Sequence, residues 1–216
     1  MTELATGVPE IVAPVIVTEG SGWHEQPGDR AELDATFTAV APTRSDAVRE
    51  LGRKVAAAIP ALESPGLEVR SRRLWVHNEW RGKRIVGCRA GEQFELVITD
   101  VSALEPVLSA LVAAEPTDLH GPRWVLTDPS AAQREAQRNA VTDARARAEG
   151  YAQALGGTLG QLLRLSDAPE HHVPVAYGAR NLSATESAAP DVRDLGLEPE
   201  PVRVTARCTT TWRLVG

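Results

Sequence analysis

The residues from Arg70 to Arg84, RSRRLWVHNEWRGKR, hold the densest chemistry in the chain. Arg70, Arg72, Arg73, Arg81, Lys83 and Arg84 face one acid, Glu79, so this segment carries +5 and the rest of the chain −11. Trp75 and Trp80 stand among the cations. Aromatic rings interleaved with guanidinium groups suit base stacking and cation–π contacts, as on single-strand-binding surfaces. The same residues suit an acidic face of another subunit. A solvated hairpin with one tryptophan turned into the core is the plain structural alternative.

Other groups have less chemistry around them. His171 and His172, near Asp167 and Glu170, carry metal-capable donors. Adjacent residues of an extended segment point apart, and no second ligand cluster accompanies them, so no metal and no cofactor is expected. His24, His77 and His120 are isolated, and no G-x-S-x-G elbow supports a serine nucleophile. Gly20 and Gly22 match half of a dinucleotide-binding glycine pattern, but the third position is Glu25 and no helix follows, so they read as turn formers. Cys88 and Cys208 lie 120 positions apart with no CxxC pair. Arg89 and Arg207 beside them would favour a thiolate, the chemistry of an oxidation sensor. Cys208 nevertheless falls on the apolar side of a two-residue alternation, which reads as a buried, inert thiol.

The elements that must position these groups follow from periodicity. Leu33, Ala35, Phe37 and Ala39 alternate with polar residues as in a half-buried strand. Ser45 is placed to cap a helix with Val48, Leu51, Val55, Ile59 and Leu62 on one stripe, which Pro60 ends or kinks. Two β-rich stretches, Leu67 to Val76 and Arg84 to Thr99, meet near Arg81-Gly82-Lys83 as a hairpin. Ser102 and Glu105 form a capping box ahead of Leu104, Val107, Leu108 and Leu111. A short strand from Arg123 to Thr127 leads to Asp128-Pro129, which opens the longest helix. There Ala132, Ala136, Ala140, Ala144, Ala148, Ala152 and Leu155 form a ridge of mostly small residues, and Gly156-Gly157 ends it. Val202 to Leu214 alternate strictly, the clearest strand in the chain. The sum is an α+β fold: a mostly antiparallel sheet with helices packed on one side, containing a βαββαβ arrangement.

With 216 residues, 43% hydrophobic and 24% charged, the chain is long enough for a sizeable core and is not disordered in composition. A net charge of −6 opposes non-specific attachment to nucleic acid or anionic lipid. The opening residues lack the basic start and unbroken apolar run of a secretory signal, and no apolar run approaches the roughly 18 residues of a membrane span. This reads as a cytoplasmic chain without a membrane partner.

DPSAAQREAQRNAVTDARARAEGYAQALGGTLGQLLRLSD, from Asp128 to Asp167, resembles the characteristic stretch of the SIMPL-domain family. Ala136, Ala140, Asp143, Ala144, Ala148, Leu155 and Gly156 occupy the places of its helix pattern and the L-G step after it. IVGCRAGEQFELVITDVSALEPVLSAL, GSGWHEQPGD and the closing PVRVTARCTTTWRLV are also similar, so the resemblance runs from about Ile11 to Val215. It implies one SIMPL-like domain over 11–216; within it 168–200, rich in Pro, Ala, Ser and acids and too long for an ordinary connection, reads as a long loop or partly disordered insertion, and 1–10 as a flexible start. It also implies a chain that acts by assembly: relatives include exported proteins, ring-like or channel-like oligomers, stress-defence proteins and a kinase-associated adaptor. No shared enzymatic mechanism is carried over, so no catalytic residue is assigned. The expected function is a non-enzymatic, self-associating scaffold or stress-related adaptor, a homo-oligomer with a possible protein partner. Polyanion or nucleic-acid binding through the basic hairpin 70–84 and a small-ligand or metal-dependent enzyme using His171 and His172 are the alternatives.

Overall fold

The computed structural model describes residues 14–167 and 196–216. In chain order it contains β1 (Val15–Pro27), β2 (Arg30–Ala41), α1 (Arg44–Leu62), β3 (Leu67–Arg81), β4 (Arg84–Ile98), a 3-10 turn (Val101–Ala103), α2 (Leu104–Ala113), β5 (Asp118–Val125), α3 (Ser130–Ala154), β6 (Thr158–Asp167) and β7 (Pro201–Val215). The α+β class with antiparallel strands is as the sequence indicates, and the strands divide between two sheets. Residues 196–200 have no regular structure, while the rest of the expected loop and the expected flexible start lie outside the described residues. The chain forms two compact units. The first takes its described residues from Met1–Gln26, Asp128–Gly178 and Arg203–Gly216, the second from Pro27–Thr127 and Ala179–Val202.

The second unit is the expected βαββαβ arrangement. Its sheet order is β3-β4-β2-β5, with every neighbouring pair antiparallel. The α1 connection steps over β4 and the α2 connection steps over β2, as in split, ferredoxin-like sheets. Both helices cover one sheet face, burying Leu33, Phe37, Phe94, Leu96 and Ile98 beneath Leu51, Val55, Leu104 and Leu111. Phe37 and Phe94 meet edge to face, 6.0 Å between centroids.

Two details differ from expectation. Thr43, not Ser45, caps α1 by accepting from the Asp46 N–H, and the buried stripe uses Ala47, Ala58 and Ala61 beside Leu51 and Val55. Val48 and Ile59 are left exposed at the rim, because alanines let the helix settle closer to the sheet than larger side chains allow. Pro60 remains inside the helix, which runs on to Leu62. Asp100 caps the 3-10 turn ahead of α2, its carboxylate accepting from the Ser102 N–H at 2.9 Å, and α2 itself starts after Ala103 with no side-chain cap, so the expected Ser102–Glu105 box does not form.

The first unit sets α3 against a three-stranded sheet, β1-β7-β6. All six alanines of the ridge are buried, at 0 or 1% exposure, whereas Leu155 stands in solvent at 68%. The reason for a ridge of methyls lies in β1. Gly20 and Gly22 are inside this strand, not at a turn, and α3 presses onto them. A Cβ on Gly20 would come within 2.7 Å of the Ala144 Cβ, and one on Gly22 within 2.8 Å of the Asn139 carbonyl carbon. The glycines are therefore needed for close approach, not for a bend. Beneath the helix, Trp212 Nε1 donates to Thr210 Oγ1, which meets Thr18 Oγ1 at 3.0 Å, and Thr18 donates to the Ala144 carbonyl. This chain satisfies the polar groups that the sheet buries there.

Asp143 ties the helix to the strand from the side. Its carboxylate accepts from the Ser21 N–H at 3.0 Å and from Arg147, and these bonds, the backbone one foremost, hold its pKa below the usual carboxylate value. A depressed folded-state pKa gives stability that is present above the unfolded value of about 3.9 and lost as pH falls through the folded value. Asp143→Asn should thus lower the melting temperature at neutral pH and flatten its decline below about pH 4 relative to wild type. Melting curves collected by circular dichroism across that range check this, and parallel curves for the two proteins would refute it.

Candidate functional site

The basic hairpin is where sequence placed the candidate interaction residues, and the structure spreads them over two faces and a tip. β3 and β4 pair from Leu67 opposite Ile98 to Arg81 opposite Arg84. The turn is Gly82-Lys83, with Gly82 at φ 61°, the first of two turn positions, where a II′ hairpin calls for glycine. β2 stops at Ala41, opposite Cys88, so residues 79–87 run on as a two-stranded ribbon with no third strand beside them.

At the base of this ribbon the cations are already neutralised. Arg72 lies on the helix-covered face, where its Nε is bonded to the buried Glu92 and its guanidinium sits 5.3 Å over the Phe94 ring. The bond to Glu92 raises the Arg72 pKa above its ordinary value. Arg73, on the open face, pairs with Glu95 at 3.1 Å. Arg70 pairs with Glu32 at 2.8 Å, and Glu32 also holds Arg123. Trp75 is half-buried on the open face, its ring over Gly91 and stacked on His77 at 4.6 Å between centroids and 7° between planes. Glu79 holds Arg89, a bond that lowers the Glu79 pKa, and His77 lies 3.9 Å away.

At the tip the situation reverses. Among the described residues no acid pairs with Arg81, Lys83 or Arg84. Trp80, Ile85 and Val86 are exposed there at 61, 54 and 57%. Of the eight candidate residues, Trp80, Arg81, Lys83 and Arg84 therefore lie at the tip, where the Trp80–Ile85 and Arg81–Arg84 pairs point to opposite faces of the ribbon, and Arg70, Arg72, Arg73 and Trp75 belong to the sheet. Sequence reasoning missed Ile85 and Val86 as partners of Trp80. Their signal was a pair of adjacent aliphatics where strict alternation would have hidden one.

The remaining candidates do not assemble into a reactive centre. Cys208 is buried under α3, while Arg207 points to the exposed face. Burial pushes its thiol pKa up, with Asp167 and Asp143 adding to the rise and a Gly20 backbone hydrogen bond opposing it. Cys88 is buried in the other unit, its thiol 3.5 Å from Asn78 Oδ1. His120 stands opposite Asp34 across β5 and β2, and His24 lies in β1. His171 and His172 lie outside the described residues. Among the described residues no group of three His, Cys, Asp or Glu side chains is placed to hold a metal ion. Two shallow hollows of about 280 Å³ each occur. One in the first unit is lined by Val141, Leu165, Ala206 and Cys208; one in the second is lined by Glu32, Asp34, Arg70, Glu95 and Arg123. No described helix is long and apolar enough to cross a membrane.

The sequence matches the SIMPL family, described as a protein of unknown function (DUF541), over residues 16–212, from β1 to β7. The chain belongs to the SIMPL family. Among curated proteins none matches it. In this SIMPL chain the residues that carried the likeness have structural roles. Ala136, Ala140, Ala144 and Ala148 are the floor on which β1 and its sheet rest, Asp143 holds the Ser21 N–H, and Gly156 ends α3 at φ 77°. The family pattern thus specifies how one helix seats on one sheet.

Proposed function

We propose that this SIMPL protein is a non-enzymatic, self-associating scaffold or stress-related adaptor of the cytoplasm that works through its surfaces. The observation that carries the reading is the ribbon tip. Trp80, Ile85 and Val86 expose apolar surface at the end of a projecting element, beside Arg81, Lys83 and Arg84, which pair with no acid among the described residues. Burying a side chain of this size contributes about 1.5–3 kcal/mol, so its exposure is costly unless a partner covers it. A polyanion surface gains less support, because Arg70, Arg72 and Arg73 are already paired with acids of this chain.

Sedimentation velocity over a range of concentration and salt tests the proposal. Wild type is expected to associate, and Trp80→Ser combined with Ile85→Ser is expected to shift the protein toward monomer. A wild-type chain that stays monomeric at high concentration, whatever the salt, overturns the assembly reading.

A further inference from the structure

We infer that β3 pairs with β3 of a second copy, antiparallel, about a two-fold axis at Val76, joining two four-stranded sheets into one. The inference rests on the self-association reading and adds to the ribbon tip a second surface, the β3 edge beside it, with its register.

β3 is the edge of its sheet and pairs with β4 alone, leaving a row of backbone N–H and C=O groups along a 15-residue strand. A long, exposed edge is a template for another strand. Its pairing register breaks after Val69 and after Glu79, so Ser71 to Glu79 is a regular segment between them, without proline. The cations in that segment do not guard the edge, because Arg72 is tied to Glu92 and Arg73 to Glu95 of the neighbouring strand. Leu74 remains 59% exposed.

Among centres at Trp75, Val76 and His77, in the middle of the regular segment, charge selects the register. A two-fold axis normal to the sheet keeps facing residues on the same side, so the pairing must centre on a residue and not between two. Centred on Val76, Arg73 of one copy stands opposite Glu79 of the other, and Trp75 stands opposite His77, each contact made twice. The existing pairs then extend into a row of alternating sign that crosses the interface: Glu95, Arg73, the second copy's Glu79, the second copy's Arg89. The two Trp75–His77 stacks lie side by side. Centring on Trp75 instead sets Arg73 against His77, and centring on His77 sets Arg73 against Arg81. Opposite charges facing each other across strands stabilise a pair and like charges destabilise it.

Because each contact occurs twice, reversed charges make a specific test. Arg73→Glu alone and Glu79→Arg alone each place like charges opposite each other at both contacts, and each is expected to weaken association at least ten-fold by sedimentation equilibrium. Mixed in equal amounts, the two variants meet opposite charges at both contacts, and the mixture is expected to associate about as tightly as wild type. Circular dichroism melting of each variant confirms folding, as Arg73 is a surface side chain at 68% exposure. Single variants that associate like wild type, or a mixture no tighter than either alone, overturn the register while leaving self-association standing. A monomeric wild type overturns both.

Discussion

Gly22→Val is expected to cost the first unit about 3 kcal/mol or more, the upper end of what overpacking costs in a filled interior. The added atoms would meet Ala136 O, Ala140 N and the Asn139 carbonyl carbon, all backbone of α3. A flexible side chain at such a place steps aside; a helix backbone moves only as a whole, and moving it lifts the buried alanine methyls off the sheet. Against a total stability of about 5–15 kcal/mol, a loss of this size is a large share. Urea unfolding with hydrogen exchange along α3 reads the effect, which should fall on α3, β1 and β7. Gly150→Ala is the matched control, since that helical position has open space around it and should gain about 0.5–1 kcal/mol. An unchanged urea midpoint for Gly22→Val would refute the close-approach account.

The second large effect is expected at Arg72. Glu92 lies on the helix-covered face of β4 between Ala90 and Phe94, 7% exposed, and Arg72 reaches it from the strand edge. Arg72→Ala leaves that carboxylate without its cation, and uncovers Phe94 as well. Breaking a fully buried pair costs about 3–5 kcal/mol. Arg72 is itself 60% exposed, so water screens the pair and the expected loss is nearer 1–3 kcal/mol. Adding Glu92→Leu to Arg72→Ala should recover most of it, because the unpaired charge is then gone. Chemical unfolding of the two single variants and the double variant gives the coupling directly. A double variant no more stable than Arg72→Ala would refute the account.

Much of this architecture is legible in the residue order, for identifiable reasons. A βαββαβ unit follows from alternation in Leu33–Ala39, helical spacing in Leu104–Leu111 and the turn at Gly82, each a local signal. The alanine ridge was equally plain, and all six alanines are buried. What adjacency does not encode is the partner. Alternation shows that β7 buries one face but not that it joins β1 and β6 in a sheet of their own. A glycine needed for a turn looks the same as one needed for close approach, and only the α3 backbone against Gly20 and Gly22 distinguishes them. Thr43 and Ser45 are both competent caps, and the choice belongs to where the chain enters the helix.

The same limit applies to the candidate residues of the hairpin. Six cations in a short stretch look like one basic surface, but successive residues of a strand face opposite ways. The acids that neutralise three of them, Glu32, Glu92 and Glu95, come from other strands. The surviving surface is smaller than the sequence suggests, and it contains Ile85 and Val86 as well as the cations.

The placement of β7 between β1 and β6 also dictates an order of events during synthesis. β7 follows every other described strand, yet it is the one both neighbours bond to, so β1 and β6 wait for it while the ribosome works toward it. The βαββαβ elements, all made between Arg30 and Val125, face no such delay in pairing their strands, and among the described residues only Leu197 and Val202, which pack against their core, arrive later. A chaperone bound to the emerging polypeptide would therefore have one particular task, shielding β1 until β7 is made.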